Sequence, residues 1–329
     1  MKILLKFSLI LAIASLVACG DDEPPGRTLE ASDIRETLER PLANGDQIGT
    51  INVNTSEADP QFTITSQNPA EAVEIENSTG IIRVKDINQF DFDNEGTVTG
   101  VVTVTAGPLT DVADFEFELS KLTSFELAVI EYFKDIALGF EFGGASAITR
   151  RWESEMRIYV GGTPTPELSD ELDKIIFEIN ELTNSNSFSA TLVDSRPESN
   201  YYIFFGSGDQ YAAEFPDLAS LVESNWGLFT LFWNGANQIN QGYMYVDIFR
   251  ASELEQLHLL REELTQSLGL ARDSDQYANS IFQQSFNTKT TEYAMIDEEL
   301  IRLLYHPDMR IGLNEFQVDG VLRDILASD

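Results

Sequence analysis

Polar and hydrophobic positions alternate with a period of two along several short runs in the first third of the chain. The runs are rich in β-branched and aromatic residues, are separated by turn residues, and cover residues 48–54, 61–65, 81–85, 97–105 and 114–119. Because successive side chains of a strand point to opposite faces, each run predicts a half-buried β-strand. Several such strands without an intervening helix predict an all-β, immunoglobulin-like sandwich over residues 28–120.

From residue 123 onward, segments with helical spacing of apolar residues alternate with strand-like segments. The helical spacing covers residues 125–138, 168–182 and 252–268. The strand-like segments are residues 157–160, 188–193, 201–205, 228–233 and 243–249. Ser252, followed three residues later by Glu255, is typical of a capping box at the start of the third helix. This mixture predicts an α+β domain over residues 123–329, and hence a multidomain chain.

The first residues have the pattern of an export signal. Lys2 and Lys6 precede an apolar run over residues 7–17, and small residues then lead to Cys19. The run is shorter than the roughly 20 residues that a membrane-spanning helix needs, and it has the length of a signal-peptide core. We therefore expect a signal peptide over residues 1–18.

The segment Leu16-Val-Ala-Cys19 resembles the lipobox of bacterial lipoproteins. The resemblance implies cleavage before Cys19, lipidation of its thiol and attachment to a membrane, with residues 19–27 as a flexible tether. The acidic run over residues 21–23 resembles the signal that places some Gram-negative lipoproteins on the outer membrane. We expect an outer-membrane lipoprotein of the cell envelope, and leave open whether it faces the periplasm or the cell surface.

Charge and cysteine content exclude several classes of function. The formal net charge is −34, from 21 basic and 55 acidic residues, so the chain repels phosphate backbones and is not expected to bind nucleic acid. Cys19 is the only cysteine, which excludes an internal disulfide or a thiolate metal site in the mature chain.

Residues 28–120 resemble a cadherin repeat. The matching segments are Glu39-Arg-Pro-Leu-Ala-Asn-Gly45, Ile48-Gly-Thr-Ile51, Ser78-Thr-Gly-Ile-Ile82 and Phe90-Asp-Phe-Asp93. The resemblance implies calcium ligands at Glu39, Asp59, Asp91 and Asp93, and calcium is the only cofactor that the sequence suggests. Ala106 stands where the family usually has an aspartate ligand, and no second repeat follows. A weak calcium site and a plain spacer domain therefore both remain open.

The segment Arg261-Glu-Glu-Leu-Thr-Gln-Ser-Leu-Gly-Leu-Ala-Arg-Asp273 resembles the zinc-binding helix of metzincin peptidases, a zincin-type fold. The resemblance places the metal ligands at Glu262, Gln266 and Arg272, the general base at Glu263 and the turn glycine at Gly269. Residues 280–283 fall where such enzymes have a methionine turn, and residues 297–305 resemble their closing helix.

The three ligand positions differ from histidine, and arginine cannot ligate a metal. We therefore expect a degenerate domain without a zinc site. His258, one turn before Glu262, leaves a His-x-x-x-Glu pair as the remaining metal option. Ion pairs of Glu262 with Arg272, or of Glu263 with Arg261, are expected to replace the metal bonds.

The stretch over residues 125–313 also resembles a family of bacterial lipoproteins of unassigned function. Its signature is the segment around Glu262 together with Asn200-Tyr-Tyr-Ile-Phe-Phe-Gly206 and Leu303-Leu-Tyr-His-Pro-Asp-Met309. This resemblance implies no particular activity.

The retained frame and the lost ligands favour a non-catalytic binding protein over an enzyme. Its partner would be an extracellular peptide, protein or glycan held in the former substrate cleft. One alternative is an active metal-dependent hydrolase with an atypical site that includes Glu262, Glu263, Gln266 and His258. The other is calcium-dependent adhesion through the cadherin-like domain.

Overall fold

The computed structural model describes residues 26–140, 144–184, 188–284 and 290–328, so the expected signal peptide and Cys19 lie outside the described residues. The chain divides into two compact units, Met1–Ser120 and Lys121–Asp329. Within the described ranges, no helix is both long enough and apolar enough to cross a membrane.

The first unit consists of β-strands. In chain order they are β1 (Leu29–Ala31), β2 (Ile34–Leu38), β3 (Gln47–Thr50), β4 (Val53–Thr55), β5 (Gln61–Asn68), β6 (Val73–Ile75), β7 (Ile81–Val84), β8 (Thr97–Ala106) and β9 (Leu109–Leu119). One sheet has the order β2-β9-β8-β5 and another has the order β3-β7-β6, while β1 pairs with β4.

The two larger sheets of the first unit share one hydrophobic core. Val98 and Val102 of β8, Phe117 of β9 and Ile82 of β7 are fully buried in it. Alternate residues of β8 and β9 point inward, because the strands are pleated and only one face of each meets the core. The run expected as one strand over residues 48–54 is two strands, since β3 pairs with β7 and β4 pairs with β1.

The second unit combines seven helices and six strands among its described residues. The helices are α1 (Ser124–Ala137), α2 (Pro166–Leu182), α3 (Gly208–Glu214), α4 (Ala219–Val222), α5 (Glu253–Gln266), α6 (Met295–Leu304) and α7 (Glu315–Leu326). The strands are β10 (Arg151–Trp152), β11 (Met156–Gly162), β12 (Ala190–Leu192), β13 (Tyr201–Gly206), β14 (Gly227–Trp233) and β15 (Gln238–Asp247).

These strands form one mixed sheet. β12, β11, β13 and β15 are neighbours in that order and run parallel, β10 also pairs with β15, and β14 pairs antiparallel with β15. Every residue of β13 is buried, because both faces of the sheet are covered. Tyr201, Ile203 and Phe205 face the main core, and Tyr202 and Phe204 face a smaller cluster that includes α3 and α4.

The alternation of parallel strands with helices makes this unit a mixed α/β structure, and the expected α+β arrangement is corrected in that respect. The sequence pattern located α2 and α5 to within two residues at each end. It did not indicate α3, α4 or α7.

Candidate functional site

Helix α5 carries the candidate site residues and lies inside the second unit. It begins with the expected capping box, in which Glu255 accepts the Ser252 N–H at 2.7 Å and Ser252 Oγ accepts the Glu255 N–H at 3.5 Å. Leu260 and Leu264 are fully buried in the main core. The polar residues between them are buried as well, so each of them needs a partner inside the protein.

Three residues one turn apart, His258, Glu262 and Gln266, form what we call the α5 polar row. Gln266 Nε2 donates to Asp273 Oδ1, in the loop that follows the helix. His258 is 2% exposed. Its Nδ1 lies 2.6 Å from the Thr290 carbonyl oxygen. Its Nε2 lies 3.2 Å from Glu262 Oε2, within ion-pair distance. Both ring nitrogens therefore lie close to an oxygen, although the contact at Nε2 does not have hydrogen-bond geometry.

The pKa of His258 reflects this arrangement. Burial by itself lowers the pKa, but the hydrogen bonding and charge of Glu262, the Thr290 carbonyl and the charge of Asp273 raise it above its ordinary value. The net direction agrees with the two acceptors around the ring.

Glu263 and Arg261 lie on different sides of α5 from the polar row. Glu263 is 8% exposed and reaches past Gly227, where a Cβ atom would come within 3.0 Å of its carboxylate. Arg261 is fully buried, donates from Nη2 to Glu171 at 2.6 Å and from Nη1 to Glu178, and lies over the Tyr293 ring at 4.6 Å.

The predicted ion pairs of Glu262 with Arg272 and of Glu263 with Arg261 are wrong. Glu263 and Arg261 are two residues apart on a helix and therefore do not face each other. Arg272 pairs with Asp135 of α1, at 3.7 Å, and Glu262 pairs with His258 instead.

The three metzincin ligand positions are therefore not brought together. Glu262, Gln266 and Arg272 each contact a different protein group, and the Arg272 guanidinium has no lone pair for a metal. Within the described parts of the chain, no group of three or more His, Cys, Asp or Glu side chains is arranged to hold a metal ion. This donor set does not fit a catalytic zinc ion.

The turn after α5 depends on Gly269, whose φ is +118°. A Cβ atom at this position would come well within 3.0 Å of the Arg150 carbonyl oxygen. The glycine that the metzincin resemblance singled out is thus required by the backbone and by close packing.

The segment over residues 280–283, expected in place of a methionine turn, is held by a buried carboxylate. Asp297 of α6 accepts hydrogen bonds from Ser280 Oγ at 2.6 Å and from the N–H groups of Ile281 and Ala294, both at 2.9 Å. The Tyr132 hydroxyl lies 2.8 Å from Ser280 Oγ. Burial raises the pKa of Asp297, although these hydrogen bonds lower it. The network joins α1, this segment and α6.

The four expected calcium ligands occupy both ends of the first unit. Asp91 accepts from the Asn94 side chain at 2.8 Å, and Asp93 pairs with Arg40 at 3.5 Å. The Asp91 carbonyl binds the Gly96 N–H just before β8, whereas Asp59 lies near the other end of that strand, where Gln61 pairs with Thr105. The intervening part of β8 is about 25 Å long. Asp59 is therefore not brought together with Asp91 and Asp93. Glu39 precedes Arg40, which pairs with Asp93, so Glu39 lies at the same end of the unit as Asp91 and Asp93.

A concave surface that the sequence did not indicate runs along β14. We call it the edge groove, and its volume is 590 Å³. Its lining consists of Phe140, Gly144, Ala145, Leu218, Leu221, Leu228, Phe229, Thr230, Leu231 and Trp233. The lining is almost entirely apolar, which is typical of surfaces that bind a partner.

The backbone of β14 is available on the groove side. β14 pairs with β15 alone among the described strands, and the Asp247 N–H donates to the Trp226 carbonyl at 2.7 Å. In an antiparallel ladder such pairs recur at every second residue, so the N–H and C=O groups of Phe229 and Leu231 point away from β15. The edge groove thus combines apolar side chains with main-chain donors and acceptors.

Comparison with solved structures finds cadherin domains. The chain is 14% identical to extracellular cadherin domains 3–6 of protocadherin gamma B2, over 29% of this chain and 22% of that one, with a TM-score of 0.24. For Drosophila N-cadherin EC1-3 the identity is 17% over 27% and 31% of the two chains, with a TM-score of 0.24. For human protocadherin-24 EC1-2 it is 13% over 26% and 40%, with a TM-score of 0.23. The chain spans less than half the length of each of these structures.

Comparison with curated proteins finds no match. A family model described as "Protein of unknown function (DUF2927)" matches residues 127–324, most of the second unit. The expectation of a family of unassigned function is confirmed in this form, while the lipid anchor and the metzincin frame are not tested by it. Because the match covers more than half of the 329 residues, the chain belongs to the DUF2927 family.

Proposed function

We propose that the protein is a lipid-anchored, non-catalytic binding protein of the cell envelope, and that its second unit binds an extended polypeptide in the edge groove. In this proposal Cys19 carries the lipid, the first unit acts as a spacer, and the second unit is a degenerate metzincin-like domain. The observation that carries the proposal is the separate internal partner of each residue at a former ligand position: His258 for Glu262, Asp273 for Gln266 and Asp135 for Arg272.

These contacts argue against metal-dependent hydrolysis by α5. A catalytic zinc needs ligands that converge and leave one position open for water. Here the carboxylate of Glu262 lies 3.2 Å from the His258 ring, and the amide of Gln266 is bound to a carboxylate. Glu263, at the position of the general base, is buried beside Gly227.

The edge groove supports a polypeptide as the ligand. A peptide that adds as a further strand gains main-chain hydrogen bonds from the outward groups of Phe229 and Leu231, and it places alternate side chains in apolar pockets. A glycan would find few polar side chains among the described lining residues, of which Thr230 alone has a hydroxyl group.

Elemental analysis and a cleavage screen of the purified full-length protein test the non-catalytic part. We expect no stoichiometric zinc and no cleavage of a broad peptide set, with or without chelator. Stoichiometric zinc together with chelator-sensitive cleavage would overturn the proposal. The Glu263→Gln variant is the matched control, because cleavage that persists in it comes from a contaminant.

Hydrogen exchange tests the location of the site. On binding a peptide, the amides of Phe229 and Leu231 should gain protection, whereas those of Leu228 and Thr230, already directed at β15, should change little. Protection confined to other surfaces would contradict the assignment of the edge groove.

A further inference from the structure

Arg150 is a buried arginine without an acidic partner. It is 4% exposed, and no aspartate or glutamate among the described residues forms an ion pair with it. Burial alone accounts for the lowered pKa of Arg150, with no opposing effect from a carboxylate. A guanidinium taken out of water without a counter-ion costs several kcal/mol, so a missing partner calls for an explanation.

The other buried arginines show that the chain normally provides such a partner. Arg151 pairs with Glu153 at 2.7 Å, and Arg261 pairs with Glu171 at 2.6 Å. With 55 acidic residues in the chain, carboxylates are abundant, yet none is supplied to Arg150 by the described residues.

The unpaired part of Arg150 is the edge of the guanidinium that suits a carboxylate. Its Nη1 donates to the carbonyl oxygens of Ser146 at 2.9 Å and Ile148 at 3.3 Å. Its Nε is buried and has no acceptor, and no described residue accepts from Nη2. Nε and Nη2 form a planar fork that binds the two oxygens of a carboxylate at once.

The same fork is filled by carboxylates elsewhere in this unit. Arg261 uses Nε and Nη2 to hold Glu171, at 3.2 and 2.6 Å. Arg302 uses them to hold Glu299, at 2.9 and 2.5 Å.

Arg150 packs against two aromatic rings of the edge groove. Its guanidinium carbon lies 4.5 Å from the centroid of the Trp233 ring and 5.7 Å from that of Phe140, and both rings line the groove. Trp233 is the last residue of β14 and is 37% exposed, so a ligand that follows β14 to its end arrives at the ring against which Arg150 packs.

We infer that Arg150 binds the C-terminal carboxylate of a peptide that lies in the edge groove parallel to β14. This inference rests on the proposed function and specifies its ligand. In the parallel direction the last residue of the peptide reaches the Trp233 end, where the chain terminus offers two oxygens to the unpaired Nε and Nη2. The preceding residues are apolar and uncharged or basic, because the lining is apolar and the protein has a formal net charge of −34.

The test uses the full-length protein and a library of seven-residue peptides, the length of β14. The peptides alternate valine or isoleucine with threonine and are made with a free C-terminal carboxylate, as C-terminal amides, and as amides with an internal glutamate. We expect the free acids to bind at least about tenfold more tightly than the amides, the effect of a charged, two-pronged hydrogen bond. This comparison needs no variant of the protein.

Two substitutions assign the effect to the fork. Arg150→Gln should abolish the preference for the free acid, and Arg150→Lys, which keeps the charge and loses the fork, should retain only a small part of it. Arg196→Gln is the matched control, because Arg196 also lies over an aromatic ring, Tyr202 at 4.1 Å, and that ring is not one of those that line the groove. Unfolding followed by tryptophan fluorescence verifies that each variant is folded.

The outcomes separate this inference from the proposed function. Equal binding of acids and amides overturns the role of Arg150 and leaves a binding protein standing. Binding of glutamate-containing amides as tight as that of the free acids overturns the assignment to a chain terminus. Chelator-sensitive cleavage of the peptides overturns the proposed function itself, and a complete lack of binding overturns both.

Discussion

Replacing Gly269 by alanine tests whether the turn after α5 is built around a glycine. The φ of +118° lies where L residues are rarely found, and holding alanine there costs about 1–3 kcal/mol. The added Cβ also meets the main-chain oxygen of Arg150, which cannot rotate away as a side chain would. Together these effects should lower the free energy of unfolding of the second unit by about 3–4 kcal/mol.

Urea unfolding followed by tryptophan fluorescence measures this loss without interference from the first unit. Trp152, Trp226 and Trp233 are the only tryptophans, and all three belong to the second unit. In a thermal scan the same loss corresponds to a fall in Tm of about 6–15 °C for a unit of this size.

Gly320 provides the matched control for this substitution. It lies inside α7, and a Cβ atom there would meet nothing within 4 Å. Gly320→Ala should therefore stabilise the unit by about 0.5–1 kcal/mol, because alanine is the better helix former. A Gly269→Ala protein within about 0.5 kcal/mol of the wild type, the range of a neutral surface substitution, would refute the argument.

Four further outcomes are expected. Arg261→Met should lower the free energy of unfolding by about 3 kcal/mol in urea, because two glutamates lose their buried partner; an unchanged midpoint would contradict this. Because the pKa of folded His258 is raised, its stabilising effect is complete below the unfolded-state value of about 6.5 and is lost as the pH rises through the folded-state value. The stability difference between wild type and His258→Gln should therefore shrink with rising pH, and a constant difference would show that the imidazole is not charged. Asp297→Ala should lower the free energy of unfolding by about 3 kcal/mol, because two N–H groups and a hydroxyl lose their acceptor. Equilibrium unfolding measures this loss. A loss below about 1 kcal/mol would mean that water replaces the carboxylate. Millimolar calcium should leave the unfolding midpoint of the first unit unchanged, as followed by far-UV circular dichroism. A raised midpoint would show that this unit does bind calcium.

Local sequence pattern was sufficient to predict elements that have a clear residue period or a clear capping signal. The strands at β5, β7 and β8 and the helices α2 and α5 match the sequence expectation closely, because pleat, helical period and capping are local properties. The expected single run over residues 48–54 became β3 and β4 for a nonlocal reason: its two halves pair with different strands.

The candidate site was only partly accessible from the sequence. The helix that carries Glu262 and Gln266 and the turn at Gly269 were predicted, since spacing and a glycine mark them. The partners of these residues were not, because Asp135 and Thr290 come from other segments and no spacing rule connects them to α5.

Arg150 was missed for a similar reason. The pair Arg150-Arg151 stands out as adjacent positive charges in a very acidic chain, and that is the one signal the sequence offered. Only the structure shows that Arg151 has a carboxylate partner and that Arg150 has none among the described residues.

The position of Trp152 also limits how this protein can be synthesised. Its indole donates to the Ser267 carbonyl at 2.8 Å, and its backbone N–H donates to the Tyr305 hydroxyl at 3.3 Å, across 153 positions of sequence. At translation rates of about 5–20 residues per second, the chain waits about 8–30 s between making the tryptophan and making its last partner. During that interval the core of the second unit cannot close. A chain truncated before Tyr305 lacks this partner and would remain a substrate for proteases.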